Sequence, residues 1–135
     1  MTGEYRFLRT RSGVTAFASV ALASQPSTAW DIAWSESAAQ LKRVYESAVE
    51  AGVRLAAHEH RRRGGKPESV TVVRLVETAA DTKPDAVACA AAMAAWKAWG
   101  GSESEAKIVF DAGRWQVVFP KPVQEEVSSA PDPAL

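Results

Sequence analysis

Residues 69–99 read SVTVVRLV, then ETAADTKPD, then AVACAAAMAAW and KAW, and this stretch decides the fold. Its first eight residues are rich in β-branched side chains, which is typical of a largely buried strand. Pro84 then fixes φ and lacks a backbone donor, so it suits the first turn of a helix. From Ala86 to Trp96 every residue is apolar, and Gly100 and Gly101 provide a stop. The stretch therefore predicts a strand, an acidic turn and a helix that is buried against a sheet.

Length and composition predict one domain and a short tail. The chain has 135 residues, of which 47% are hydrophobic and 24% charged, as in an ordinary single-domain globular protein. We therefore expect one domain over residues 1–119. Residues 120–135 are rich in proline and small side chains, which predicts a mobile tail or linker. The apolar run at 86–96 is far shorter than the roughly 20 residues that cross a bilayer, so no membrane association is expected.

Charge and cysteine content narrow the expected partners and compartment. Lys+Arg and Asp+Glu both number 16, so the net charge is zero and predicts no general attraction to nucleic acid or membrane. The charge is uneven along the chain, which indicates either a basic surface or self-complementary halves. Cys89 is the single cysteine and lies in the apolar helix, so we expect a buried, unreactive thiol. No signal peptide is recognised, and a cytoplasmic protein is expected.

Three strands are predicted before the first helix. Residues 4–11 and 14–22 flank a turn at Gly13 and are typical of a hairpin. Residues 29–34 alternate large apolar side chains with small or polar ones, as a strand with one buried face requires. The side chains predicted to anchor this strand are Trp30, Ile32 and Trp34.

The first helix is predicted to begin at Ser37, because Ser37-Ala38-Ala39-Gln40 fits a capping box. Apolar side chains that recur every three or four residues predict its buried face. They are Leu41, Val44, Tyr45, Ala48, Ala51 or Gly52, and Leu55. The helix is expected to end at residues 61–63, whose cations complement its dipole, with Gly64-Gly65 as the terminator.

A second hairpin follows the apolar helix. Residues 106–110 and 114–119 flank Asp111-Ala112-Gly113, which is a plausible short turn. The predicted order is therefore βββαβα followed by a C-terminal β-hairpin. This order indicates an α+β, two-layer sandwich with both helices on one face of a mostly antiparallel sheet.

Three segments resemble domain IV of translation elongation factor G. They are residues 48–56, which read AVEAGVRLA, the strand at 70–76, and the stretch at 81–98. The residues on matching positions in the last segment are Asp81, Ala86, Ala90, Ala91, Met93, Ala94 and Ala98. The upstream strands fit the family's order, so the resemblance covers about residues 5–99. It implies a βββαβα domain with a left-handed crossover, as in certain ribosomal proteins and the N-terminal halves of GHMP kinases.

The chain departs from this family where the resemblance implies contact with the ribosome. The family has a glycine-rich loop between its first two strands, and here that loop is only Arg11-Ser12-Gly13. It also has a histidine in the loop before the last helix, and residues 77–81 contain none. A Gly-x4-Gly-Lys-[Ser/Thr] phosphate loop is absent as well, as is a GTP-binding domain. We therefore carry over the fold, and neither translocase nor kinase activity.

No catalytic constellation is recognised, so we expect no enzyme activity, no cofactor and no metal. His58 and His60 lie two apart on a predicted helix and point about 200° apart, which disfavours a shared metal ion. Asp81 and Asp85 near a helix start are typical of capping. The serines are not accompanied by a histidine and an acid in any known motif.

The expected function is binding, either to a protein partner or to a second copy of the chain. An apolar helix face or a sheet edge, such as one left open by the terminal hairpin, is the predicted contact, with candidate residues Trp99, Trp115 and Phe119. The alternative is a ribosome- or RNA-associated module that uses the basic end of the first helix. Its candidate contacts are Arg61, Arg62, Arg63 and Lys66, to which Arg6, Arg9 and Arg11 could add. Ordinary core packing of the tryptophans and dipole complementation by the arginines remain open.

Overall fold

A computed structural model describes residues 1–120, in which two helices cover one face of a four-stranded sheet. The strands of this sheet are β1 (Thr2–Arg11), β2 (Val14–Pro26), β3 (Asp31–Trp34) and β4 (Glu68–Val76). The helices are α1 (Lys42–Arg62) and α2 (Pro84–Ala98), and β5 (Lys107–Asp111) and β6 (Arg114–Val118) form a separate hairpin. The sheet order is β1-β2-β4-β3, and only β3 and β4 are parallel. The predicted α+β sandwich is confirmed. Apart from Pro120, the predicted tail lies outside the described residues.

Both hairpins are closed by two-residue turns with positive φ. The φ angles are 52° at Ser12 and 79° at Gly13, and 54° at Ala112 and 79° at Gly113. Type I′ turns require positive φ at both central residues, and their twist matches that of the flanking strands. Glycine at the second position of each loop therefore allows the tight connection that the sequence predicted.

α2 is buried on nearly all sides. It packs against β1, β2, α1 and β6, and eleven of its 15 residues are buried, so no polar face remains. Small side chains allow these contacts. A Cβ at Gly3 of β1 would lie 2.0 Å from the Ala94 carbonyl oxygen. The apolar run between Ala86 and Trp96 is thus explained by a helix that has neighbours in several directions.

The buried stripe of α1 differs from the predicted one. Tyr45 is buried as expected, but Val44 is 64% exposed and Leu55 is 40% exposed. Gly52, one of the two predicted alternatives, is buried, and so are Val49, Val53 and Ala56, which were not predicted. α1 meets α2 at Gly52, where a Cβ would lie 2.2 Å from the Ala88 carbonyl oxygen. The face around that contact is buried, and the two bulky residues beside it are left in solvent.

A β-bulge at Val73 interrupts the pairing of β4 with β2. Ala21 and Leu22 of β2 pair with Arg74 and Val72, which leaves Val73 without a partner on that strand. A bulge shifts the inward and outward alternation by one residue. For this reason Val72 before the bulge and Leu75 after it both face the core.

The predicted capping box at Ser37 is wrong. The Ser37 hydroxyl donates to the carbonyl of the bulged Val73 at 3.2 Å. A 3-10 turn over Ala39–Leu41 then leads into α1, which begins at Lys42 without a side-chain cap. Serine hydroxyls bond to whichever backbone group the fold leaves open, and here that group lies on β4 rather than on the helix.

Candidate functional site

β1 is one edge of the four-stranded sheet, and half of its backbone groups point away from β2. Met1 and Ser24 exchange two backbone hydrogen bonds, of 2.8 Å and 2.7 Å. In an antiparallel ladder, pairs that exchange bonds alternate with pairs that do not. From the register of β1 and β2, the outward-pointing residues are Thr2, Glu4, Arg6, Leu8 and Thr10.

Two cationic side chains cover part of this edge. The Lys97 ammonium donates to the Glu4 carbonyl at 3.0 Å, and the Arg9 guanidinium donates to the Leu8 carbonyl at 3.1 Å. Charged side chains at an edge are a common protection against uncontrolled strand pairing. Within residues 1–120 the other outward backbone groups of β1 have no hydrogen-bond partner, so a row of donors and acceptors remains available.

Three arginines of β1 are held by aromatic rings. The distances from guanidinium carbon to ring centroid are 5.5 Å for Arg6 and Phe17, 5.4 Å for Arg9 and Phe7, and 4.3 Å for Arg11 and Phe110. Such cation–π contacts orient an arginine without neutralising it. In the part of the chain that the structure describes, none of these three arginines is in an ion pair. The edge therefore carries uncompensated positive charge.

The basic end of α1, by contrast, is partly neutralised, because carboxylates of the same chain pair with two of its arginines. Glu59 is only 5% exposed and accepts hydrogen bonds of 2.7 Å from both Arg62 and Arg63. Arg63 also donates to Glu105 at 2.7 Å, which ties α1 to the connection after α2. The hydrogen bond from Arg62 is the main cause that lowers the pKa of Glu59, although burial opposes it.

Glu59 was not predicted from the sequence, in which His58-Glu59-His60 indicates only a candidate metal motif. The available signal was the pair of arginines three and four residues later, at the spacing of helical ion pairs. Of the predicted nucleic-acid contacts, Arg61 and Lys66 are exposed and outside any ion pair among residues 1–120.

Arg61 lies on the rim of a groove of about 370 Å³ between α1 and β3. The floor of the groove is apolar and includes Ile32 and Val53. Its other charged groups are largely engaged, since Arg54 pairs with Glu50 at 3.7 Å and the Asp31 carboxylate accepts a 2.6 Å hydrogen bond from Ser69. Arg61 and the exposed His58 are therefore the ionisable side chains of the groove that have no hydrogen-bond or ion-pair partner among residues 1–120.

Trp99 packs against its own chain at the end of α2. Its ring stacks on His60 with a centroid distance of 5.0 Å, and Trp30 contacts both rings edge-on. The Trp99 indole N–H donates to the Ser24 hydroxyl at 2.8 Å. His60 is therefore a packing residue, separate from the exposed His58. Among residues 1–120, no three side chains of His, Cys, Asp or Glu are grouped to hold a metal ion.

Trp115 and Phe119 fasten the terminal hairpin. Trp115 lies 5.7 Å from Phe7, centroid to centroid, and its backbone N–H donates to the Asp85 carboxylate at 2.9 Å. Phe119 lies 4.9 Å from the Trp96 ring. Both predicted interface residues are half-buried in contacts between the hairpin and the rest of the fold.

Cys89 and Tyr45, two side chains that could react as nucleophiles, are both buried. Burial raises the pKa of the Cys89 thiol to about 12, so the nucleophilic thiolate is scarce at neutral pH. Burial and then the hydrogen bond to Glu77 raise the pKa of Tyr45 to about 12. Within residues 1–120 every buried polar side-chain atom has a hydrogen-bond partner. No helix in this part of the chain is long and apolar enough to cross a membrane.

Comparison with known proteins gives a likeness of fold. No protein-family model matches the sequence, and no curated protein matches it. The chain is similar in structure to a protein from Thermus thermophilus, with a TM-score of 0.60 and 18% sequence identity. The similarity covers 97% of this chain and 25% of that one. This chain therefore spans about a quarter of the length of its structural neighbour, and at this identity the likeness concerns fold alone.

Proposed function

We propose that this chain is a non-catalytic binding module of the elongation factor G domain IV type, and that it binds an extended protein segment along β1. The family assignment is supported by the residues that resemble domain IV over about residues 5–99. It is also supported by the likeness to one quarter of a longer chain, as expected for a domain that occurs inside larger proteins.

The observation that carries the proposal is the direction of the β1 backbone groups. Five residues present their N–H and C=O groups away from β2, over a strand of ten residues. Strand addition uses such groups for affinity and alternate side chains for specificity. The opposite edge is β3, which has only four residues and offers a much shorter ladder.

The sheet edge is favoured over an apolar helix face. α2 is in contact with β1, β2, α1 and β6, so its apolar faces are covered. Of the aromatic residues predicted for an interface, Trp99 packs on His60, and Trp115 and Phe119 hold the hairpin against the rest of the fold. A helix whose apolar surface is already covered has little further area to bury.

The proposal is tested with a display library of random ten-residue peptides panned on the intact protein. Each enriched peptide is then synthesised twice, with N-methyl groups on alternate amides in one copy and on the intervening amides in the other. Only one set of amides faces β1 in an added strand. We expect one copy to lose at least about tenfold in affinity and the other to bind nearly as well as the unmodified peptide.

Hydrogen exchange of the protein gives a second readout. Without peptide, the amides of Glu4, Arg6 and Leu8 should exchange fast and those of Tyr5 and Phe7 slowly, and peptide should protect the first group. Equal losses for both methylated copies would contradict strand addition. So would selective binding of single-stranded RNA that Arg61→Ala and Lys66→Ala abolish, which would instead support the RNA-associated module.

A further inference from the structure

We infer that the segment bound by β1 is acidic, with carboxylates spaced to meet Arg6, Arg9 and Arg11; this inference rests on the proposed strand addition. The three arginines lie on the edge strand itself and have no carboxylate partner among residues 1–120. Arg74 has its ion pair with Glu4, and Lys97 has one with Glu103, so neither needs the partner. The charge left on the edge is that of the three arginines.

The positions of the arginines set the spacing of the acidic residues. Side chains directly opposite each other on neighbouring strands share a face, with Cβ atoms about 4.5–5.5 Å apart. Arg6 lies on the solvent face, whereas Arg9 and Arg11 alternate onto the face that carries the helices. In an antiparallel added strand the acidic residues then occupy positions 1, 3 and 6, and in a parallel one they occupy positions 1, 4 and 6.

One apolar position completes the pattern. Leu8 is 46% exposed and shares the solvent face with Arg6. A residue opposite Leu8 takes position 4 of an antiparallel partner, so the expected motif is acidic-x-acidic-apolar-x-acidic. The parallel motif is the same sequence reversed.

Charge disfavours a second copy of the chain as the occupant, because both β1 strands would carry the same excess of arginines. RNA is disfavoured for a different reason. Phosphate oxygens only accept hydrogen bonds, so the phosphates of RNA cannot pair with the carbonyl groups of the edge. Two of the three rings beside the arginines are also unsuited to base stacking, because Phe7 is fully buried and Phe17 lies under Arg6.

The test uses three synthetic peptides that carry two threonines at each end. Their central residues are Glu-Thr-Glu-Val-Thr-Glu, the reversed order Glu-Thr-Val-Glu-Thr-Glu, and the glutamine version Gln-Thr-Gln-Val-Thr-Gln. We expect one of the acidic peptides to bind at least about tenfold more tightly than the glutamine peptide at about 0.05 M salt. This advantage should shrink strongly at about 0.5 M salt, because exposed charges are screened.

Protein variants show which charges are responsible. Arg6→Gln and Arg11→Gln should each reduce the advantage of the acidic peptide about three- to tenfold. Arg61→Gln removes one exposed cation of α1 and is the matched control, for which no change is expected. Thermal unfolding of each variant establishes that the fold is retained.

The outcomes separate the two proposals. If glutamine and acidic peptides bind equally and both protect the outward amides of β1, the acidic inference is overturned and strand addition stands. If the acidic peptides bind without protecting those amides, or if no peptide binds, strand addition and the inference are both overturned. Equal loss of affinity in Arg61→Gln would show general charge attraction and would also overturn the inference.

Discussion

Glu59 is the side chain on which the end of α1 depends. It sits in the last turn, is nearly inaccessible to solvent and holds two arginines that would otherwise repel each other. A buried carboxylate is stable only when its charge is matched by such donors. Arg62 and Arg63, which looked like part of a basic surface in the sequence, are therefore bound to carboxylates of the fold, whereas Arg61 stays exposed.

Replacing this carboxylate should cost stability in a pH-dependent way. Glu59→Gln is expected to lower the free energy of unfolding by about 1–3 kcal/mol at pH 7, because a neutral amide cannot bind both arginines with charge-assisted strength. Urea unfolding measures the change. Glu50→Gln is the matched control on the same helix, since its exposed pair with Arg54 should contribute about 0.5 kcal/mol or less.

The sign of the pH dependence follows from the lowered pKa of Glu59. A carboxyl group with a folded-state pKa below its unfolded value binds protons more weakly in the native state. Its stabilisation is complete above the unfolded pKa of about 4.3 and is lost as pH falls through the folded value. The wild type should therefore lose more stability than Glu59→Gln between about pH 5 and pH 2. Parallel acid curves for the two proteins would contradict this account.

At the scale of elements, α2 is the centre of the fold and small residues decide how closely its neighbours approach. Gly52 on α1 and Gly3 on β1 both meet its backbone where no Cβ fits. The two glycines let α1 and the sheet approach α2 closely. The terminal hairpin packs on the same apolar helix through β6. Each contact is set by volume as much as by hydrophobicity.

Gly52→Ala distinguishes packing from helix propensity. Propensity alone would stabilise α1 by about 1 kcal/mol, whereas the overlap with the Ala88 carbonyl should destabilise the protein by about 1–3 kcal/mol or more. Ala51→Gly, at the exposed neighbouring position, should cost about 1 kcal/mol through propensity alone. Thermal and urea unfolding of both variants measure these changes. A stabilised Gly52→Ala protein would show that the two helices do not approach closely.

Two adjacent valines of β6 test which face of the terminal hairpin packs on the core. Val117 is 6% exposed and faces the core, while Val118 is 43% exposed on the other side of β6. Val117→Asp should lower the free energy of unfolding by at least about 2 kcal/mol or detach the hairpin, because it places an unpaired charge among apolar side chains. Val118→Asp should change it by less than about 1 kcal/mol. Urea unfolding and the fluorescence of a dye that binds exposed apolar surface separate the two, and equal effects would contradict the observed face of β6.

At the scale of the whole molecule, the four-stranded sheet leaves one face and two edges of unequal length open. The longer edge carries three arginines without carboxylate partners among residues 1–120, and the shorter edge is a strand of four residues. α2, in contrast, is enclosed by the chain's own elements, and the open side of α1 is mainly charged and polar. Contact with another molecule is therefore expected at the sheet rather than at the helices.

The charge of the longer edge predicts the oligomeric state. We expect a monomer by size-exclusion chromatography with light scattering at about 0.05 M salt, because two β1 edges would repel each other across a shared pair. A dimer at low salt that persists at about 0.5 M salt would contradict this expectation. The Arg6→Glu variant is the useful comparison, since opposite charges on one strand should remove part of the repulsion and raise the dimer fraction.

Local patterns were enough to predict the order of elements and the class of fold. The β-branched run at Ser69–Val76, the apolar run after Pro84 and the two glycine turns each act over a few residues, so their signals do not depend on distant contacts. Alternation at Ile32 and Trp34 was likewise confirmed, with Asp31 and Ala33 exposed. For the candidate site, the sequence predicted a sheet edge at the terminal hairpin, whereas the edge that we propose for binding belongs to β1.

Contacts between residues far apart in the chain decided the rest. The bulge at Val73 took the hydroxyl of Ser37 away from the helix, and the approach to Ala88 turned α1 so that Val44 faces water. Only the ladder between β1 and β2 determines which backbone groups of the edge point outward. These outcomes depend on register, volume and charge partners that meet only after folding, and no periodicity along the chain encodes them.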